Sequence, residues 1–414
     1  MNESKTYCPL AWNHFSAYAE GDMRLCCNVK SNSYMNDNDG NRIQVGTVTN
    51  LLEYFNLDKY KEIRKNMMSG VKTPDCSICY GIEENKGKSM RQYWVEAYPF
   101  EKFKDITNEE TGEISEARVN YLDISWSNKC NLKCRMCSPY ASDQLIKEAK
   151  ELKLMPHIKD IDIAFDWNEK WSYETIIPIL EQVVKPELDS ILVTGGEPLI
   201  NNEFYVFCQM LVDKDYAKNI DISFHTNLTV MPQKWLDILS NFKSVVFKVS
   251  IDGVGECYEY IRYPGKWAII KKNIEDLCFV IRDKTNFSVE FHTVLSIFNY
   301  KGITDLLDYL MSLPEHEKIK RLPHFNFIHV PFYASPTQLP FKEKLDAFVA
   351  IEEWLLKNSK KHKLLEEKVS TLRAVAKIMT DSLPDRQEET IDMIKKVDSY
   401  RGHDTKKYMP WITK

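Results

Sequence analysis

Val119-Asn120-Tyr121-Leu122-Asp123-Ile124-Ser125-Trp126 is followed at once by Ser127-Asn128-Lys129-Cys130-Asn131-Leu132-Lys133-Cys134-Arg135-Met136-Cys137. The first stretch reads as a strand, and behind it three thiols fall within eight residues. Three thiolates so close can face one metal centre, and their odd number leaves that centre a coordination position open. A structural zinc ion closes four ligands, usually from two Cys-x2-Cys pairs, whereas an iron-sulfur cube held by three protein thiolates keeps one iron free. The x3-then-x2 spacing therefore favours a working cluster over a structural ion.

A second, independent pattern ends in a glycine pair 58 positions after Cys137. The apolar run Ser190-Ile191-Leu192-Val193-Thr194 reads as a buried parallel strand and ends in Gly195-Gly196-Glu197-Pro198. Two glycines at a strand end let the backbone approach a ligand closely, and the proline stops the strand. On these two motifs the chain resembles the radical S-adenosylmethionine (radical SAM) enzymes, whose signature is Cys-x3-Cys-x2-Cys after the first strand of a βα barrel. The resemblance implies a [4Fe-4S] cluster on Cys130, Cys134 and Cys137 whose open iron is chelated by the amino and carboxylate groups of S-adenosylmethionine. An electron from the cluster then cleaves the sulfonium to a 5′-deoxyadenosyl radical that takes hydrogen from the substrate. It also implies that Gly195, Gly196, Glu197 and Pro198 hold the methionine end of S-adenosylmethionine. The protein's share in such chemistry is orientation and shielding.

Strand and helix patterns continue to alternate. Further strands are expected at Ile220–Thr226, Ser244–Ile251, Phe287–Val294 and Phe325–Val330, with helices such as Trp267–Arg282 and Ile303–Ser312 between them. With the two strands already placed this makes six, so the fold class is α/β: a partial (β/α)6 TIM-like barrel, with active groups at the C-terminal strand ends. Asn227, Ser250, Asp252 and Arg262 stand at or after those ends. By resemblance they contact the carboxylate or ribose of S-adenosylmethionine, as donors and a bidentate cation can; an ordinary cap or turn accounts for each equally well. Met136 stands where the family often has an aromatic residue, and a thioether can still pack on adenine. Cys257 is the candidate hydrogen-atom donor, with Tyr258 and Tyr260 similarly placed, and His329 leaves the sixth strand as either a substrate neighbour or a core histidine.

The N-terminal region carries a second set of thiols. Cys8, Gly21 and Cys26 follow a Cys-x12-Gly-x4-Cys pattern, and Cys76-Ser77-Ile78-Cys79 adds a Cys-x2-Cys pair. This resembles the twitch domain, a shortened relative of the SPASM domain, and implies an auxiliary [4Fe-4S] or [2Fe-2S] cluster on Cys8, Cys26, Cys76 and Cys79, here preceding the barrel. Structural zinc is the rival for four thiolates. Cys27 reads as an alternate ligand or a buried small residue, and Cys208, Cys278 and, as the alternative to hydrogen donor, Cys257 as buried structural cysteines.

The expected organisation is a twitch domain over 1–103, a polar linker over 104–117, the barrel over 118–335 and a helical extension over 336–414. Met90–Ala97 has helical spacing, Met155–Trp171 reads as an irregular insertion, a lid or by default a solvated loop, and Phe341–Met379 as an amphipathic helical stretch. At 414 residues, 43% hydrophobic and net charge −5, the chain has a sizeable core and no nucleic-acid footprint. Without a signal peptide or a long apolar run, and with eleven cysteines, it is expected to be cytoplasmic, away from membranes, with reduced or metal-bound thiols. The resemblance implies an oxidoreductase or modifying enzyme that oxidises, crosslinks or epimerises a peptide or small sugar-like molecule, with reduced flavodoxin or ferredoxin as electron donor. The alternatives are a non-catalytic iron-sulfur electron carrier and a zinc-binding interaction protein.

Overall fold

The computed structural model describes residues 5–29, 33–155, 157–167, 170–328, 330–362, 364, 369–370, 372–373 and 385–412. Eight strands make a mixed sheet: β1 (His14–Ala17), β2 (Met23–Arg24), β3 (Tyr121–Ser125), β4 (Ser190–Thr194), β5 (Asp221–Thr226), β6 (Ser244–Ser250), β7 (Phe287–Leu295) and β8 (Ile319–Phe327). Their order is β2-β1-β3-β4-β5-β6-β7-β8, and the sheet does not close on itself. The six expected strands are the consecutive run β3 to β8. Two more extend it, because β1 pairs in parallel with β3 and turns back antiparallel into β2.

The chain forms two compact units, one of residues 1–128, 166–224 and 241–244, the other of 129–165, 225–240 and 245–414. In the first, β4 alternates buried Ile191 and Val193 with half-buried Ser190, Leu192 and Thr194. In the second, β6 and β7 alternate the same way: Phe247, Val249, Val289 and Phe291 are buried, whereas Lys248, Ser250, Glu290 and His292 are only half-buried. Side chains of period two point to opposite faces. In the second unit one face of β6 and β7 is thus core, beneath helices such as Trp267–Asp283 and Ile303–Ser312, and the other carries mostly polar side chains.

The sixth expected strand, Phe325–Val330, is displaced. β8 starts earlier, at Ile319, and ends at Phe327. Two features hide it in the sequence. Pro323 interrupts the pattern, which an edge strand tolerates because one row of its backbone groups needs no partner. An irregularity between Glu290 and His292 shifts the β7–β8 register. His329 lies outside the described residues, as do Glu366, Glu367 and Lys368 of the expected C-terminal helix, of which Phe341–Asn358 is described.

Met90–Ala97 is a helix whose start is fixed by a capping box between Ser89 and Gln92. The Met155–Trp171 insertion is not a plain solvated loop, since Phe165, Trp167 and Trp171 are buried and the Trp171 indole donates to the Ala19 carbonyl at 2.7 Å. Among the described residues no helix is long and apolar enough to cross a membrane.

Arg64, in the Asp58–Met68 helix, is fully buried and supports the first unit. Its guanidinium donates to the carbonyls of Gly112 (2.6 Å), Ala11 (3.0 Å) and Phe55 (2.6 Å). An Arg64→Met substitution fills similar volume but strands three buried acceptors, each at a cost of about 1–3 kcal/mol. The variant is expected to lose at least about 3 kcal/mol in denaturant unfolding, a shift in midpoint that a surface Arg-to-Met change does not produce.

Candidate active site

In the second unit, residues 130–137 form a loop held at nearly every step. The Cys130 amide donates to Asp143 Oδ1 at 3.1 Å, and Ser142 Oγ to the Leu132 carbonyl at 2.6 Å. The Lys133 and Arg135 amides donate to the carbonyls of Tyr263 (2.6 Å) and Ile261 (2.9 Å). Between the second and third cysteines, Arg135 is buried and donates from Nε to the Tyr260 carbonyl at 2.9 Å. Its guanidinium stacks on the Tyr260 ring at 3.6 Å and pairs with the buried carboxylate of Asp398 in the Gln387–Arg401 helix. Met136 is buried in the same core. The three thiols lie together: Cys134 belongs to the buried core against which Cys130 and Cys137 pack, and the charges of Cys134 and Cys130 act on Cys137.

Two residues expected from the sequence stand beside these sulfurs. Asn227 Nδ2 approaches Cys130 Sγ at 3.9 Å and donates to Asn131 Oδ1 at 2.9 Å. Arg262 Nη1 approaches Cys134 Sγ at 3.9 Å, and its Nη2 lies 2.6 Å from Asp252 Oδ2. The neighbouring Cys137 thiol, and after it the Arg262 charge, hold the Cys134 thiol below its ordinary range. Asp252 is fully enclosed, its other oxygen accepting from the Val294 amide at 2.7 Å, so its carboxylate serves Arg262 and the backbone. Burial nonetheless raises its pKa. Ser250 ends β6 in register with His292, on the polar face. Cys257 is packed elsewhere, with its Sγ near the Phe298 carbonyl at 3.9 Å; a Cβ added to Gly253 would come within 2.8 Å of that sulfur. Burial pushes its thiol pKa up to about 12. Tyr260 spends its hydroxyl on Asp398 at 3.1 Å.

In the first unit, the turn after β4 needs both its glycines. Gly195 and Gly196 have φ of 79° and 52°, and a Cβ on Gly195 would lie 2.6 Å from the Ser127 carbonyl oxygen. Glu197 is buried, and its carboxylate accepts from the Leu199 amide at 3.1 Å, capping the short turn that Pro198 opens. Asn201, which the sequence reading passed over, donates from Nδ2 to the Trp126 carbonyl at 3.1 Å and so fastens this turn to the end of β3. Its only sequence signal is an asparagine at a helix N-cap, a common and unspecific one.

The four N-terminal thiols also meet inside the first unit. Burial, then Cys8, raises the Cys26 thiol, with smaller contributions from Cys76 and Cys79. Burial and the neighbouring Cys79 lift Cys76 to about 12. Asn28 Nδ2 approaches Cys79 Sγ at 3.7 Å, and the Arg91 cation acts on both Cys8 and Cys76. Cys27 turns away from this group toward Asp123 and Met90, its Sγ lying 3.8 Å from the Met90 sulfur.

Residues 124–310 match the family model described as the radical SAM superfamily. This stretch is a radical SAM domain. Curated relatives include the GTP 3′,8-cyclase of Campylobacter lari, 26% identical over 199 residues, covering 46% of this chain and 52% of the relative. The GTP 3′,8-cyclase of Alkaliphilus oremlandii is 29% identical over 142 residues, 34% of this chain and 38% of the relative. The chain thus spans about half the length, or less, of these curated relatives. Among solved structures, Streptococcus suis SuiB bound to S-adenosylmethionine aligns with a TM-score of 0.33 and 13% identity over 58% of this chain and 45% of SuiB. Native anSMEcpe with bound AdoMet and the Cp18Cys peptide gives 0.33 and 18% over 57% and 61%.

Because Asp252 neutralises Arg262 and both are buried, removing it leaves a buried cation unpaired. Asp252→Ala is expected to cost about 3–5 kcal/mol in chemical denaturation, and Asp252→Asn less, since an acceptor remains.

Proposed function

We propose that this enzyme reductively cleaves S-adenosylmethionine and abstracts hydrogen from a polar substrate, a peptide or a small sugar-like molecule, to oxidise, crosslink or epimerise it. The packing of Cys130, Cys134 and Cys137 together on a hydrogen-bonded loop carries the reading. A [4Fe-4S] cluster with S-adenosylmethionine supplies, when bound, the electron and the 5′-deoxyadenosyl radical. The protein's part is positional. The three thiolates would hold three irons, Arg262 would offset their negative charge near Cys134, and Asn227 would brace Cys130. Gly195 and Gly196 would offer backbone to the methionine end of the cofactor, with Glu197 fixing the turn. Ser250 and its neighbours on the polar strand face would meet the substrate.

Residues 1–103 would form an auxiliary-cluster domain on Cys8, Cys26, Cys76 and Cys79. The Cys-x12-Gly-x4-Cys and Cys-x2-Cys spacing, next to a radical SAM domain, supports iron-sulfur over zinc. Reduced flavodoxin or ferredoxin would donate the electron.

After anaerobic reconstitution, reduction should yield 5′-deoxyadenosine from S-adenosylmethionine, and Cys134→Ala should abolish the product; a fully iron-loaded wild type that never forms it refutes the reading. Iron analysis should give about eight irons per chain, and Cys8→Ala with Cys76→Ala should bring this to about four. Zinc in place of the lost iron in the wild type would reassign the N-terminal site.

A further inference from the structure

Outside the cysteine sites, the second unit gathers imidazoles and a carboxylate on the polar face of β7 and β8. His292 and His324 are direct register partners on neighbouring strands, and Glu290 stands two residues before His292 on the same face. The two rings stack with centroids 5.0 Å apart. Glu290 Oε2 lies 3.9 Å from His292 Nε2 and 3.8 Å from His324 Nε2, and all three donor atoms fall within 4.8 Å of one another. Those distances are too long for hydrogen bonds. Neither ring nitrogen of His292 has a hydrogen-bond partner among the described residues, although both are shielded from solvent. A buried polar atom left so is costly, which points to a missing ligand at the centre of the group. His225 meets the His292 ring edge-on at 4.8 Å, and burial holds its own pKa down to about 3, so it adds no positive charge there.

We propose that Glu290, His292 and His324 bind one divalent metal ion. Two imidazoles and one carboxylate on one side of an ion form a facial triad, which suits Fe(II) or Mn(II) and leaves open positions opposite. With metal–ligand bonds of about 2.1 Å, adjacent donors sit roughly 3 Å apart, so closure needs movements of about 1 Å by side chains that are only partly buried. Lys248, whose charge acts on both Glu290 and His225, places a second cation on this face. The open positions therefore suit an oxygen anion, a phosphate or carboxylate carried by the substrate. That last role, unlike the binding of the ion, rests on the reading that this strand face receives the substrate.

The test is Mn2+ titration of the cluster-loaded, oxidised enzyme without S-adenosylmethionine, following free Mn2+ by its electron paramagnetic resonance signal. One saturable site per chain is expected, abolished in the His292→Ala/His324→Ala double variant. His324 is half exposed, so His324→Gln keeps the fold and should weaken binding by at least about tenfold. No saturable site below millimolar Mn2+, or a folded His324→Gln protein that binds as the wild type does, overturns the proposal. Failure of 5′-deoxyadenosine formation leaves this readout untouched, so the two readings fail separately.

Discussion

The buried pairing of Arg135 with Asp398 is the constraint on which the cysteine loop depends. A cation between Cys134 and Cys137 repels no thiolate, but it cannot be enclosed without partners. Asp398 supplies the charge, the Tyr260 carbonyl and ring supply a hydrogen bond and a π face, and the His403 ring lies 2.7 Å from Nη2. Every partner is itself held: Tyr260 stacks on Tyr408 at 4.0 Å, and Asp398 accepts from Thr405 at 2.7 Å. A few residues along, Arg401 and Glu148 form a second enclosed pair between the same helix and Ile146–Glu151. The backbone around the cysteines is thereby fixed before any metal arrives, which lowers the cost of ordering them around one.

Much of this was legible in the residues themselves. The helices Trp267–Asp283 and Ile303–Ser312 appear almost as their periodicity predicts, and the strands β4 to β7 fall where alternating apolar runs place them. What escaped has a physical reason. His14-Phe15-Ser16-Ala17 contains one strong strand former, and its strand exists through parallel pairing with β3 and complete burial. β8 hides behind Pro323, lysine and arginine because an edge strand does not need the pattern a central one does.

At the site, sequence spacing identified the thiols but not what supports them. Arg135 and Asp398 are 263 positions apart, a separation no local pattern spans. Asp252-Gly253 looks like an ordinary turn pair, and only the fold shows the aspartate enclosed against Arg262. Glu290, His292 and His324 carry no motif spacing either; a strand register brings them together. Cys27 sits next to a proposed ligand, and a single step along the chain turns its side chain to Asp123 instead.

The separation between Arg135 and Asp398 also sets an order of events in the cell. The cysteine loop leaves the ribosome long before the helix that clamps it exists, and at about 5–20 residues per second the lag is roughly 13–50 s. During that interval the three thiols are tethered but unclamped. Iron delivered to the growing chain would meet a loop without its final geometry, so loading of the proposed cluster would belong after synthesis, and a protein arrested short of Asp398 would be a poor acceptor however complete its strands.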